Sequence, residues 1–255
     1  MVYLIPFYKD PNFKIEEAQE VRDFRKKKYS YHEYLQCLKE SFEWHNKGQF
    51  MLSTDIHTHL NFDIEKYIQD TTDKTIIESK VINETRLICD DNGIDENIIM
   101  CGVDHIVNGD LSKIFEDDFD IMIPIRKRSK INNAIIAVKK VTDDVRKFFE
   151  HRFELFYKMN EMWYGDQRTY DKIIRKALDL PTKKFAIELG TYTIKNCKIK
   201  LVEYGGHYCG CNVRNSPFDS KTLLYDFYCF SSKIIKFSFS YFTCIRISFI
   251  NFSHI

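Results

Sequence analysis

"IIMCGVDHIVNGDLSKIFEDDFDIMIPIRKRSKINNAIIAV", residues 98–138, sets apolar strand-like runs on either side of a short helical segment. Residues 96–107 are rich in Ile, Met and Val, the pattern of a strand buried on both faces. Residues 110–125 then read as a short helix and a strand, and residues 132–141 as another strand. Toward the N-terminus, "MVYLIPFY" (1–8) reads as a first strand, stopped by a Lys-Asp-Pro turn. "YHEYLQCLKESFEWH" (31–45) sets Tyr34, Leu35, Leu38 and Phe42 at helical spacing, and Gly48 closes that helix. "QFMLSTD" (49–55) is a strand, and residues 64–82 read as a helical zone. Downstream lie a long helix over 142–163, capped by Thr142 or Asp143, and a further helix from Gly165. Strands separated by helices predict an α/β fold with a mainly parallel central sheet flanked by helices. Its ligands would bind beyond the carboxyl ends of the strands.

A chain of 255 residues suffices for one such domain. With 38 basic and 37 acidic side chains, its charge argues against nucleic acid as the partner. The N-terminus lacks the basic start of a secretory signal, which predicts a cytoplasmic protein. The eight cysteines show no framework spacing and read as free thiols.

Two segments suggest metals. "DIHTH" (55–59) ends an apolar run. On a continuing strand, His57 and His59 would converge on one ion, as in metal-dependent hydrolases. Against this stand the motif's place on the second strand and the scarcity of further ligands, with only His105 and His207 near strand ends. "GGHYCGC" offers His207, Cys209 and Cys211 to zinc, or is an ordinary glycine turn.

The strongest signal is a linear series: "GVD" (102–104), "GDLSKIF" (109–115), "FDIMIPI" (119–125), "INNAIIAV" (131–138), "VRKFFEHRFEL" (145–155) and "WYGDQ" (163–167). In order and spacing this resembles the nucleotide-diphospho-sugar transferases, glycosyltransferases of the GT-A fold. The resemblance runs from about Ile98 to Ile174 and extends to residues 3–55. It implies a Rossmann-like GT-A domain over residues 1–226 that moves a sugar from a nucleotide-diphosphate donor to an acceptor. A non-catalytic nucleotide or sugar binder is the alternative, and a hydrolase built on "DIHTH" the more distant one.

The charge that builds on the leaving diphosphate calls for a divalent cation or a fixed positive charge. The family's Asp-x-Asp would supply hard oxygen ligands to Mn2+ or Mg2+. Here Gly102 occupies the first position, leaving Asp104 as the metal ligand, with Asp110 as a possible recruit. The resemblance also implies Asp166 and Gln167 as catalytic residues facing donor and acceptor. It places Asn132 and Asn133 beside the donor sugar, Asp55 and Tyr8 (or Phe7) near the nucleotide, and Arg86 on the diphosphate. Read alone, these residues are also a turn (Asn132, Asn133), a helix N-cap (Asp166), a loop carboxylate (Asp55), core aromatics (Tyr8, Phe7) and a solvated helix charge (Arg86).

The family's closing His-x-x-Gly segment has no counterpart, for the matching place reads "DSKTLLYDFYCFSSK" (219–233). Residues 227–255 hold seven Phe, six Ser and three Lys or Arg with no acidic residue, and read as an ending foreign to the domain, of the kind a read-through or frame shift gives. Their longest charge-free run after Lys236 ends at Ile245, well short of the roughly 20 residues that span a bilayer, so no integral membrane segment is expected.

Overall fold

The structure, a computed structural model, describes residues 1–9, 31–90, 94, 96–126, 130–159, 164–180, 186–204 and 224–226. The elements follow as β1 (Val2–Phe7), α1 (Tyr31–His45), β2 (Gln49–Asp55), β3 (Glu65–Gln69), α2 (Ile76–Cys89), β4 (Asn97–Gly102) and β5 (His105–Val107). After a 3-10 turn (Leu111–Glu116) come β6 (Ile121–Arg126), β7 (Lys130–Ile131), β8 (Ile135–Val138), α3 (Asp143–Met159), α4 (Gly165–Ala177), β9 (Gly190–Ile194), β10 (Cys197–Glu203) and β11 (Leu224–Asp226).

Among the described residues, nine strands make one mixed sheet in the order β3-β2-β1-β4-β8-β6-β10-β9, with β7 on β6. β1, β2, β3 and β4 run parallel. β8 opposes both β4 and β6, so β6 and its parallel neighbour β10 share the direction of the first four. The α/β fold expected from the sequence is therefore present. The chain leaves β1 toward β2 and β3 on one side, then returns through α2 to β4 on the other. This change of side opens a crevice at the carboxyl ends of β1 and β4, where α/β sheets bind ligands.

Alternation along the strands divides the core in two. Leu4, Ile99, Met122, Ile135 and Ala137 face one layer with Leu35, Leu38 and Phe42 of α1. Ile5, Ile98, Met100, Ile121 and Ile136 face the other, with Leu87, Ile88, Phe148, Phe149, Tyr170 and Ile174 of α2, α3 and α4. Entry into β2 depends on a glycine, since a Cβ on Gly48 would lie 2.1 Å from the Val2 carbonyl oxygen.

Two expectations change in detail. The zone 64–82 is not one helix: residues 65–69 form the edge strand β3, and α2 starts only after Thr75. Thr75 closes a capping box, accepting from Glu78 N at 3.2 Å while its own N donates to Glu78 Oε2 at 2.9 Å. The apolar run 96–107 is two strands. The chain turns at Val103 and Asp104, and β5 leaves the main sheet to pair with β11.

Candidate active site

Asn132 and Asn133 immediately precede β8, which runs antiparallel to β4. Gly102 N donates to Ala134 O at 3.3 Å, so the start of β8 and the end of β4 lie side by side at the carboxyl edge. Asp166 in the first turn of α4 meets them there. Asn133 Nδ2 donates to Asp166 Oδ2 at 2.6 Å, joining residues that are 33 positions apart.

The third member is Lys80. Its ammonium, on the second turn of α2, lies 3.3 Å from Asp166 Oδ2, 3.4 Å from Asn133 O and 3.8 Å from Glu84 Oε1. Glu84 Oε2 in turn lies 2.9 Å from Arg152 Nη2, close but not aligned as a hydrogen bond. Arg152 is fully buried, donates to Asp166 O at 3.4 Å and covers the Tyr170 ring at 4.2 Å. Two cations and two carboxylates thus form a neutral cluster inside the fold. Burial by itself raises the Asp166 carboxyl, but Lys80, the Asn133 amide and Arg152 outweigh it and hold the group below the usual carboxylate range. Burial likewise opposes the charge on Lys80, and Asp166 and Glu84 outweigh it and raise that ammonium.

Asp166 is not the helix N-cap that its sequence context allows. Tyr164 holds that position in a left-handed conformation (φ 58°) with no capping hydrogen bond from its side chain. The Asp166 carboxylate instead takes Gln167 N on Oδ1 and Asn133 and Lys80 on Oδ2. Gln167 is half-buried, and no hydrogen bond ties its carboxamide to the described residues. Asn132 accepts from Ala134 N at 3.0 Å, while its Nδ2 is buried without a partner.

The remaining candidates do not join this cluster. Tyr8 is buried among α1 side chains, with its ring 5.3 Å from that of His32. Asp55 holds its own loop, accepting from His57 N and Thr58 Oγ1, and lies 3.7 Å from Lys9 Nζ. That buried lysine donates to Thr71 O at 2.7 Å, Lys74 O at 2.6 Å and Ser79 Oγ at 3.0 Å, which fastens α2 to the ends of β1 and β2. Arg86, on the exposed side of α2, bonds Gln69 of the edge strand.

The "DIHTH" segment does not behave as a strand. β2 ends at Asp55, so the alternation that would align two imidazoles is lost: His57 Nε2 lies 2.8 Å from Thr72 Oγ1 and His59 is exposed. His207, Cys209, Cys211 and the tail 227–255 lie outside the described residues. Among those described, no group of three His, Cys, Asp or Glu is placed to hold a metal, and no helix is long and apolar enough to cross a membrane.

Asp104 tests the fit of the implied divalent cation. A Cβ on Gly102 would lie 2.6 Å from Asp104 Oδ1, so this carboxylate leans into the space a side chain at 102 would need. His105 Nδ1 is 3.0 Å from Gly102 O and engages that carbonyl. The Asp110 carboxylate caps the 3-10 turn through Ser112 N. One carboxylate does not make a preformed oxygen shell for Mg2+ or Mn2+, and the described residues do not fit such an ion without oxygens from water and a substrate.

No family model matches the chain, and no curated protein does. Solved structures do. An active-site mutant of LgtC superposes with a TM-score of 0.51 at 9% identity, over 89% of this chain and 87% of that one. The chain has the GT-A fold. The galactosyltransferase LgtC in complex with donor and acceptor sugar analogues aligns at TM-score 0.44 and 12% identity, over 67% of this chain and 69% of that one. The apo glycosyltransferase GlyE of Streptococcus pneumoniae TIGR4 aligns at TM-score 0.43 and 14% identity, over 69% and 43%. The GT-A sheet accounts for the position of the cluster, since the strand ends around the β1–β4 crevice are where Asn132, Asn133, Lys80 and Asp166 collect.

Sequence reading missed Lys80, Glu84, Arg152 and Lys9. One of them left a readable sign: Val145, Phe148, Phe149, Arg152 and Phe156 share the buried face of α3, and a lone arginine on an apolar stripe announces an interior charge partner.

Proposed function

We propose that this chain transfers a sugar from a nucleotide-diphosphate donor to an acceptor hydroxyl. One observation carries the reading: Asn133, Asp166 and Lys80 meet at the carboxyl edge of a GT-A sheet, where the sequence resemblance asks for the donor. In the reaction the bond from the anomeric carbon to the diphosphate oxygen breaks, a bond to the acceptor oxygen forms, and the acceptor proton is released. Lys80 supplies a fixed positive charge near the leaving diphosphate. Asn132 Nδ2, buried and unbonded, is a donor suited to a sugar hydroxyl. Asp166 aligns Asn133 and Lys80, and Gln167 extends its carboxamide toward the reacting sugar. The replacement of an active-site glutamine by glutamate in the LgtC mutant is in keeping with that role for Gln167.

Release of nucleoside diphosphate from UDP- and GDP-sugars, with and without sugar acceptors, tests the proposal. Turnover by the wild type that Gln167→Ala reduces by at least about tenfold supports it. Gly102 in the Asp-x-Asp position favours one second reading, a non-catalytic binder of the same ligand. Saturable binding of a sugar nucleotide with no release in any mixture would establish that reading instead.

A further inference from the structure

Resting on the reading of this edge as a sugar-nucleotide site, we infer that the site takes its nucleoside diphosphate without a divalent cation. Three features of the described residues converge on this. First, Gly102 removes a carboxylate, and Asp104 Oδ1 occupies the room a side chain there would use. Second, neighbouring ligands are committed: Gly102 O to His105, the Asp110 carboxylate to Ser112 N, Asp166 to Lys80 and Asn133, and Glu84 to Arg152. Third, the buried cluster balances its own charge without an ion. Lys80 and Arg152 match Glu84 and Asp166, so this cluster adds no surplus negative charge to that of Asp104 for holding a dication, and Lys80 would repel one. Lys80 and Asp104 both lie near the end of β4. Burial pushes the Cys101 thiol up, Asp104 adds to that rise and Lys80 opposes it. A cation held through Asp104 alone would have to draw the rest of its oxygen shell from water and the diphosphate, whereas Lys80 offers the diphosphate a positive charge directly.

The test has two arms on the full chain. In the first, the electron paramagnetic resonance signal of free Mn2+ is followed without nucleotide as wild type, Gly102→Asp or Asp104→Asn is added. The wild type should leave the signal unchanged, and Gly102→Asp, in which Asp104 rotates aside to form a carboxylate pair, should diminish it. A signal quenched stoichiometrically by wild type and restored by Asp104→Asn overturns the inference. A silent Gly102→Asp overturns the assignment of the loss to that position. In the second arm, UDP and GDP affinities are measured by calorimetry in EDTA and in Mn2+. Values within about twofold support the inference, and a tightening of about tenfold with Mn2+ that Asp104→Asn abolishes overturns it. If neither nucleotide binds in either buffer, the functional reading fails and the resonance arm alone decides the cation question.

Discussion

Replacing Arg152 with Met should destabilise the fold by about 3–5 kcal/mol. The guanidinium lies 2.9 Å from Glu84 Oε2, with the two side chains 0% and 6% exposed. At an effective dielectric constant of about 20, that separation corresponds to a gross attraction of about 6 kcal/mol. Desolvation of the two charges consumes most of it, so the pair as a whole contributes little. Removing Arg152 alone, however, leaves Glu84 buried and compensated only by Lys80, which already serves Asp166, and it uncovers the Tyr170 ring. The double replacement Glu84→Met/Arg152→Met leaves Lys80 and Asp166 as a neutral pair and should return to within about 1 kcal/mol of wild type. Urea unfolding followed by far-ultraviolet circular dichroism measures both variants. A single mutant within about 1 kcal/mol of wild type, or a double mutant no more stable than the single one, would refute the idea that these four charges act as one balanced unit.

Acid sensitivity should follow Asp166. Its carboxyl is held below the usual range, so its contribution is present above the unfolded value of about 3.9 and is lost as pH falls through the folded value. Asp166→Asn should therefore be less stable at neutral pH and show a flatter acid limb in pH-dependent urea midpoints; an unchanged limb contradicts the assignment. Gly48→Ala should cost about 1–3 kcal/mol, because its Cβ would lie 2.1 Å from backbone oxygen, and a thermal melt equal to wild type would count against that close approach. Thr75→Ala breaks the capping box of α2 and should cost about 1 kcal/mol, read from the same melts. His57→Ala/His59→Ala should leave the metal content of purified protein unchanged, and a loss of bound zinc by elemental analysis would revive the hydrolase reading.

Most elements were legible, because α1, α3 and α4 each bury a face of helical spacing, while β1, β2, β4, β6 and β8 are short apolar runs, β4, β6 and β8 being buried on both faces. β3 escaped because "EKYIQ" lies at the sheet edge with every residue at least partly exposed, so no apolar alternation marks it. The break between β4 and β5 escaped because Val103 and the strands around it are all buried, and composition does not show where a strand changes partner. Asn133 and Asp166 could be named singly through the resemblance. Their hydrogen bond, and the lysine completing it, depend on how α2, β8 and α4 converge, which no local pattern encodes. The same limit applies to Asp55 and Tyr8. Each lies at a strand end, but packing turns Asp55 toward its own loop and Tyr8 into the core.

The most direct measurement is the melting temperature of the wild type, Asn132→Ala and Gln167→Ala with UDP, GDP and their sugars, in Mn2+ and in EDTA. A ligand bound only by the native state adds about 2.7 kcal/mol at a hundredfold excess over Kd, a readily resolved shift. A uridine or guanosine sugar nucleotide should raise the wild-type value in both buffers, with a smaller rise in each variant. A chain that melts at the same temperature with every nucleotide would contradict the sugar-nucleotide reading.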